Sequence, residues 1–147
     1  MKKVLRLRII VEQPTSGVIF GLQKGKGTLY ETIQKQEAKD KDLAFEFDVA
    51  IKIDPGKPPV LLGPFVQGKP TGKFIYVDIG RLAGQKNSQW ERRLKIPLPA
   101  AESGIIHQSL AEPGCVIETI VPGFGKDGSP NCGTVKPFNG WKRKALP

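Results

Sequence analysis

Hydrophobic and polar residues alternate most regularly along residues 43–53, LAFEFDVAIKI. Every second position of this run is apolar, and the positions between them include Glu46, Asp48 and Lys52. Side chains of a β-strand point to opposite faces with a period of two, so a strand places all the apolar residues of the run on one face. A helix would spread them around its circumference and bury an acidic side chain. The pattern therefore predicts an antiparallel strand with one face on the core.

Several other segments carry strand signals. In the N-terminal run, Leu5 and Leu7 begin an apolar face, while Arg6 and Arg8 occupy the other face. Runs of apolar and β-branched residues predict four further strands, at 17–23, 73–80, 90–98 and 115–121. The segments between these runs contain Pro and Gly in combinations that favour tight turns, such as Asp54-Pro55-Gly56.

Two segments are less regular. In residues 28–38, TLYETIQKQEA, Thr28 and Glu31 fit a helix capping box, whereas the spacing of Leu29, Glu31 and Ile33 fits a strand. We expect the strand. Residues 100–111 predict a short helical turn.

The turn residues also indicate the fold class. The 147 residues include 17 Gly and 13 Pro, which is too many for long helices and typical of short strands joined by turns. We expect an all-β, mainly antiparallel fold, either a β-sandwich or a closed barrel, with at most one or two short helices. No repeat or linker divides the chain, so residues 1–147 are expected to form a single β-rich domain.

Charge and hydropathy narrow the function classes. The net charge of +9 comes from lysines and arginines dispersed along the chain, which makes the protein basic but predicts only weak, non-specific contact with nucleic acid. The N-terminal run is interrupted by Arg6 and Arg8 and does not resemble a signal peptide. No segment has the length of a membrane helix. These features predict a cytoplasmic protein without a membrane partner, in which Cys115 and Cys132 are reduced thiols.

Candidate catalytic residues are few. His107 is the only histidine, and it lies near Ser109 and eight residues before Cys115. Two cysteines and one histidine at this spacing match no standard zinc site. We therefore expect no metal and no cofactor, and the sequence favours a non-catalytic role over an enzyme that uses His107.

The most unusual position is Arg92. Strand alternation places it with Trp90 and Leu94 on the apolar face, and a buried guanidinium requires a partner. One prediction is an internal pair with Asp78, or an Arg92 stem that follows the core with its charge in water. The alternative is a pocket in which Arg92 binds an anionic ligand beside Tyr76 and Trp90. The predicted ligand-binding residues are thus Arg92, Tyr76, Trp90 and Asp78, and no catalytic residue is predicted.

Five collinear segments resemble a protein family. They are FGLQKGKG (20–27), DLAFEFDVAIK (42–52), GPFVQGKPTGKFIYVDIG (63–80), WERRLKIPL (90–98) and DGSPNCGTV (127–135). These segments are similar to a bacterial family of small proteins catalogued only as a domain of unknown function. The resemblance implies a bacterial, cytoplasmic, one-domain β protein, and it transfers no catalytic residue.

Three classes of function follow from these observations. The favoured one is a binding module for a small ligand whose anionic group is bound by Arg92. The alternatives are a structural or protein-interaction domain and, less favoured, an enzyme that uses His107.

Overall fold

A computed structural model of the chain describes residues 2–12, 18–26, 29–39, 41–63, 66–68, 72–81, 90–100, 103–112, 114–121, 133–134 and 140–145. These residues form β-strands and one helix. The strands are β1 (Lys2–Val11), β2 (Val18–Lys26), β3 (Leu29–Glu37), β4 (Leu43–Lys52), β5 (Val60–Gly63), β6 (Val66–Gly68), β7 (Gly72–Arg81), β8 (Trp90–Pro97), β9 (Cys115–Val121), β10 (Gly133–Thr134) and β11 (Lys142–Ala145). The helix is α1 (Gly104–Ala111).

The strands pair in two sheets. The first sheet has the order β11-β9-β1-β4-β5, and the second has the order β10-β8-β7-β2-β3, with β6 also paired to β7. Pairing is antiparallel except between β1 and β9 and between β10 and β8. The mainly antiparallel all-β prediction is therefore confirmed.

One buried core receives side chains from both sheets. On β4, the alternating residues Leu43 to Ile51 are buried, while Glu46 and Asp48 are exposed, as the sequence pattern predicts. The first sheet also contributes residues of β1 such as Leu7 and Ile9. From the second sheet, the core includes Phe20, Leu22, Ile75, Val77, Leu94 and Ile96. The inner faces of the two sheets thus share a single apolar cluster.

The predicted strands are present with small shifts of their ends. Within residues 28–38, Leu29–Glu37 forms the strand β3 rather than a helix, and the helical turn within 100–111 is α1. The turn at 54–57 is also confirmed, because the N–H of Lys57 donates to the carbonyl of Asp54 at 3.2 Å and Gly56 has a φ of 74°. Pro before a glycine of positive φ is the pattern of a type II turn.

The closed barrel is wrong for the described strands, because the two sheets are open. A barrel requires continuous backbone pairing around its circumference. Between β3 and β4 the connection is made instead by side chains: Gln34 donates to the carbonyl of Glu46, and Gln36 donates to the carbonyl of Ala44 at 2.6 Å. We call these two hydrogen bonds the glutamine seam.

A second contact links the two sheets elsewhere. The indole N–H of Trp141, just before β11, donates to the carbonyl of Pro97 at the end of β8, with a distance of 2.8 Å. Both connections join side chains to backbone carbonyls, so they hold the sheets together without merging their ladders. Within the described part of the chain, no helix has the length and apolar character needed to cross a membrane.

Candidate functional site

The outer face of the second sheet carries a line of polar residues. Across four neighbouring strands, the register aligns Thr32 of β3, Gln23 of β2, Tyr76 of β7 and Lys95 of β8. Directly opposed residues share a face of the sheet, with Cβ atoms about 5 Å apart. We call these four residues the polar row. Their neighbours Leu22, Val77 and Leu94 belong to the core, so the polar row lies on the face that points away from it.

Gln23 is the most constrained member of the polar row. Its side chain is only 2% exposed. The hydroxyl of Thr32 donates to Oε1 of Gln23 at 2.8 Å, whereas the amide Nε2 of Gln23 has no hydrogen-bond partner within the described residues. A buried donor without an acceptor costs about 1–3 kcal/mol. The sheet therefore holds an unused hydrogen-bond donor in a dry environment.

The position next to the polar row is occupied by a buried carboxylate. Asp78 is fully buried, and its neighbour on β2 is Gly21, which has no side chain to cover it. Phe74, on the same face of β7, is also buried, and Nζ of Lys95 lies 3.9 Å from the centre of its ring. A cation over an aromatic ring is held by the ring quadrupole. This face thus combines a carboxylate, an ammonium group and an amide donor.

The structure places the four predicted ligand-binding residues on two adjacent strands. Tyr76 and Asp78 share the outer face of β7, and Tyr76 is partly buried. In the backbone register, Arg92 lies opposite Ile79, and Arg93 lies opposite Asp78. The side chains of Trp90 and Arg92 lie outside the part of the chain that the structure describes. Their contribution to a ligand site therefore stays a prediction.

Sequence analysis did not identify Gln23, Thr32 or Lys95. Gln23 ends the predicted strand 17–23, where a polar residue is unremarkable, and Lys95 lies between Leu94 and Ile96 in its strand, as a solvent-facing residue does. The signal that was available is the register of the hairpin: once β2 and β3 pair, Gln23 and Thr32 must lie side by side. Burial of that pair depends on the rest of the fold, which the local pattern does not report.

The outer face of the first sheet carries charges of both signs. Arg8 donates to Glu46 at 2.7 Å and to Glu118 at 3.1 Å, and Lys144 lies 3.5 Å from Glu118. The hydrogen bond to Glu46 raises the pKa of the Arg8 guanidinium, burial lowers it, and the bond to Glu118 raises it again. Arg6 pairs in the same way with Asp48 at 3.2 Å. This face is a network of satisfied ion pairs.

The comparison with protein families identifies the chain. A model of the family of unknown function DUF5990 matches residues 5–144. The chain belongs to this family. No curated protein and no solved structure matches it. The resemblance seen in the sequence is therefore confirmed, and the polar row lies entirely within the segment that the DUF5990 model covers.

The other candidate groups of this DUF5990 protein lie on and beside α1. His107 is exposed, and the buried Ser109 is about 200° further around the helix, so the two side chains point in different directions. The Ser109 hydroxyl donates to the carbonyl of Ile105 at 2.7 Å. Cys115 is a free thiol that accepts a hydrogen bond from Arg143 at 3.2 Å, and Cys132 lies outside the described residues. No group of three potential metal ligands occurs in the described ranges.

Proposed function

We propose that this DUF5990 protein binds a small anionic ligand on the outer face of β2, β7 and β8. The site would consist of Gln23, Tyr76, Asp78 and Lys95, completed by Trp90 of β8, which the register places opposite Gly80; Arg92, opposite Ile79, belongs to the other face. The observation that supports it is the buried amide Nε2 of Gln23, which lacks an acceptor among the described residues. Buried polar groups are nearly always hydrogen-bonded, so an exception calls for a partner, and a bound ligand is one that would supply the acceptor.

The chemistry of the polar row suggests the class of ligand. An amide N–H and a lysine ammonium are both donors, so the complementary group is an oxygen-rich acceptor such as a carboxylate or phosphate. Lys95 supplies the positive charge and Tyr76 a further hydroxyl. Because Asp78 is a carboxylate next to this row, we expect the ligand also to carry a hydroxyl or amino group that donates to Asp78.

The proposed site rests on a rigid support. Each of its strands is paired on both sides within the second sheet, and their inner faces pack in the common core. Sites built on such elements hold their donors in place without loop ordering. We further propose that the two sheets pack face to face as a β-sandwich in one domain of residues 1–147, a proposal supported by the core that both sheets share.

The binding proposal can be tested by calorimetry with small anions. Inorganic phosphate, citrate, malate and serine phosphate are titrated at constant ionic strength, with acetate as a simple carboxylate. We expect a hydroxylated or amino-bearing anion to bind more tightly than acetate. Gln23→Leu and Lys95→Met should each weaken this binding by about tenfold or more, because each removes one charged or buried donor contact.

Matched controls separate the site from general effects of charge. Gln108→Leu removes an exposed glutamine of α1, and Lys57→Met removes an exposed lysine of the turn after β4. Both should bind as the unchanged protein does. Gln23→Leu should alter the free energy of unfolding by less than about 1 kcal/mol, because loss of the hydrogen bond from Thr32 is offset by removal of a buried donor that has no acceptor among the described residues. Destabilisation above about 2 kcal/mol, or no anion binding by the unchanged protein, would contradict the proposal.

A further inference from the structure

Among the residues that the structure describes, the first sheet contains a strand edge that is paired on one side only. Along its whole length, β1 pairs with β4, from Lys2 opposite Lys52 to Val11 opposite Leu43. On its other side, β9 pairs with β1 only from Leu7 onward. A strand paired on one side directs its remaining N–H and C=O groups away from that partner. Residues 2–6 therefore form an open edge of five residues, about 16 Å long.

This open edge lines a groove of about 330 Å³. Residues 3–6 form one wall, and Ser109 and Leu110 of α1, with Gly114 and Cys115, form the other. The first residues of β9 pair only on their far side, with β11, where Cys115 lies opposite Ala145, and the β1 ladder begins at Ile117. The opening has the size of a small ligand pocket, but one of its walls is strand backbone.

The groove is lined by two cationic side chains, one of which already has acidic partners. Its described lining includes Lys3 and Arg6 and no acidic residue. Lys3 makes no ion pair among the described residues, while Arg6 pairs with Asp48 and, at 3.8 Å, with Glu46. Between the two cations lie Val4, which is 61% exposed, and the partly buried Leu5. Lysines on a strand edge often serve only to prevent aggregation between sheets. Here the exposed Val4 beside Lys3 leaves apolar surface available for binding as well.

We propose that the open edge of β1 binds an extended acidic peptide, which adds a strand to the first sheet. Backbone hydrogen bonds would supply affinity, and alternate side chains would supply specificity. Opposite Lys3, Val4, Leu5 and Arg6, the complementary order is acidic, apolar, apolar, acidic. This order is the same in both chain directions, so it holds for parallel and antiparallel addition. The proposal concerns the other sheet from the proposed ligand site and is independent of it.

Fluorescence anisotropy with short labelled peptides tests the proposal. The probe is fluorescein-Glu-Val-Val-Glu-amide, compared with Lys-Val-Val-Lys and with Glu-Val-Pro-Glu, in which proline removes a backbone donor. We expect binding of the first peptide and at least tenfold weaker binding of the other two. Free glutamate and inorganic phosphate should not displace the probe at equal ionic strength. Displacement by either would show that the groove binds small anions and would overturn the peptide proposal.

Two further measurements locate the binding. Cys115 lines the groove, so the saturating probe should slow its alkylation by iodoacetamide at least threefold, as followed by peptide mass mapping of the full chain. Lys3→Glu should weaken the acidic probe at least tenfold and favour Lys-Val-Val-Lys, whereas Lys57→Glu, in an exposed turn, should change neither affinity by more than about twofold. Equal losses in both variants, or unchanged alkylation at saturation, would overturn the assignment to this edge.

Discussion

The polar residues on the outer faces of the two sheets differ in whether they have partners and in how far they are exposed. On the first sheet, Glu46, Asp48 and Glu118 each have an arginine or lysine partner within 4 Å. On the second sheet, Gln23 and Asp78 are withdrawn from solvent, and the amide Nε2 of Gln23 has no acceptor among the described residues. The acidic side chains of the first face are paired, and the second face holds a buried amide donor without a partner among the described residues.

This difference indicates which of the two faces has a structural role and which is a candidate ligand site. A satisfied network of ion pairs fixes the register of its strands, and its exposed members contribute little to stability. A buried donor without a partner lowers stability and gives no structural benefit in return. Such a group is explained most simply by a ligand that supplies the acceptor. The network of ion pairs is thus assigned to the architecture of the first sheet, and the outer face of the second sheet is the better candidate site.

The largest predicted effect concerns the core on which both faces depend. Phe47 of β4 is buried in the cluster shared by the two sheets. We expect Phe47→Ala to lower the free energy of unfolding by about 3–5 kcal/mol, the usual loss for a buried aromatic side chain. Urea denaturation followed by tryptophan fluorescence measures it. The control is Val60→Ala on β5, where Val60 is 46% exposed and the expected change is below about 0.5 kcal/mol.

If the two sheets did not share one core, the Phe47→Ala variant would unfold in two separate steps. One of these transitions would occur at the same urea concentration as in the unchanged protein, because the second sheet would be unaffected by the substitution. A single transition at lower urea concentration is the expected result.

Much of the fold follows from alternation and turn chemistry. The strands β1 and β4 have clear period-two patterns, so their apolar faces could be assigned without the structure, whereas β7 and β9 are buried on both faces along much of their length. The strand β11, KRKA, could not be predicted, because it is polar throughout and forms only by backbone pairing with β9. The short strand β5 is likewise defined by its pairing with the end of β4.

The candidate site was only partly predictable. Asp78 was identified as a carboxylate that could pair with Arg92, and Tyr76 as a residue beside that pair. Glu118 in CVIETIV is also a carboxylate within an apolar strand and is 4% exposed, but it had no such arginine to draw attention to it and was not singled out. Gln23 could not be recognised, because a neutral amide near the end of a strand is compatible with either burial or exposure. Its burial is a property of tertiary structure, and no local pattern encodes it.

An intermediate effect is expected within the charged face of the first sheet. Glu118 is nearly buried and contacts both Arg8 and Lys144, whereas Asp48 is half exposed and contacts Arg6. Glu118→Gln should lower the free energy of unfolding by about 1–3 kcal/mol, because it weakens charged hydrogen bonds at a buried position. Asp48→Asn should cost less than about 1 kcal/mol.

Salt provides the second comparison between these two variants. The Arg6–Asp48 pair is solvent-exposed, so 1 M NaCl should remove most of the difference between Asp48→Asn and the unchanged protein. The deficit of Glu118→Gln should persist at that salt concentration. Equal salt sensitivity of both variants would mean that Glu118 acts as a surface charge, and the contrast between the two faces would then be weaker than the structure indicates.

The smallest predicted effect concerns the glutamine seam between β3 and β4. Gln36 donates to the carbonyl of Ala44 at 2.6 Å, and Gln34 donates to that of Glu46. Because β5 pairs with β4 only at residues 50–52, these side chains protect an edge that no strand covers in the described part of the sheet. Gln36→Ala should cost about 0.5–1.5 kcal/mol, the usual value for one hydrogen bond. Glu37→Ala, at the exposed end of β3, should change stability by less than about 0.5 kcal/mol.

The double variant Gln34→Ala/Gln36→Ala should also expose the edge of β4, and unpaired edges promote association between chains. Sedimentation velocity should therefore show concentration-dependent self-association of the double variant and not of Glu37→Ala. A double variant that stays monomeric and loses no more stability than Gln36→Ala alone would show that the seam neither protects the edge of β4 nor joins the two sheets.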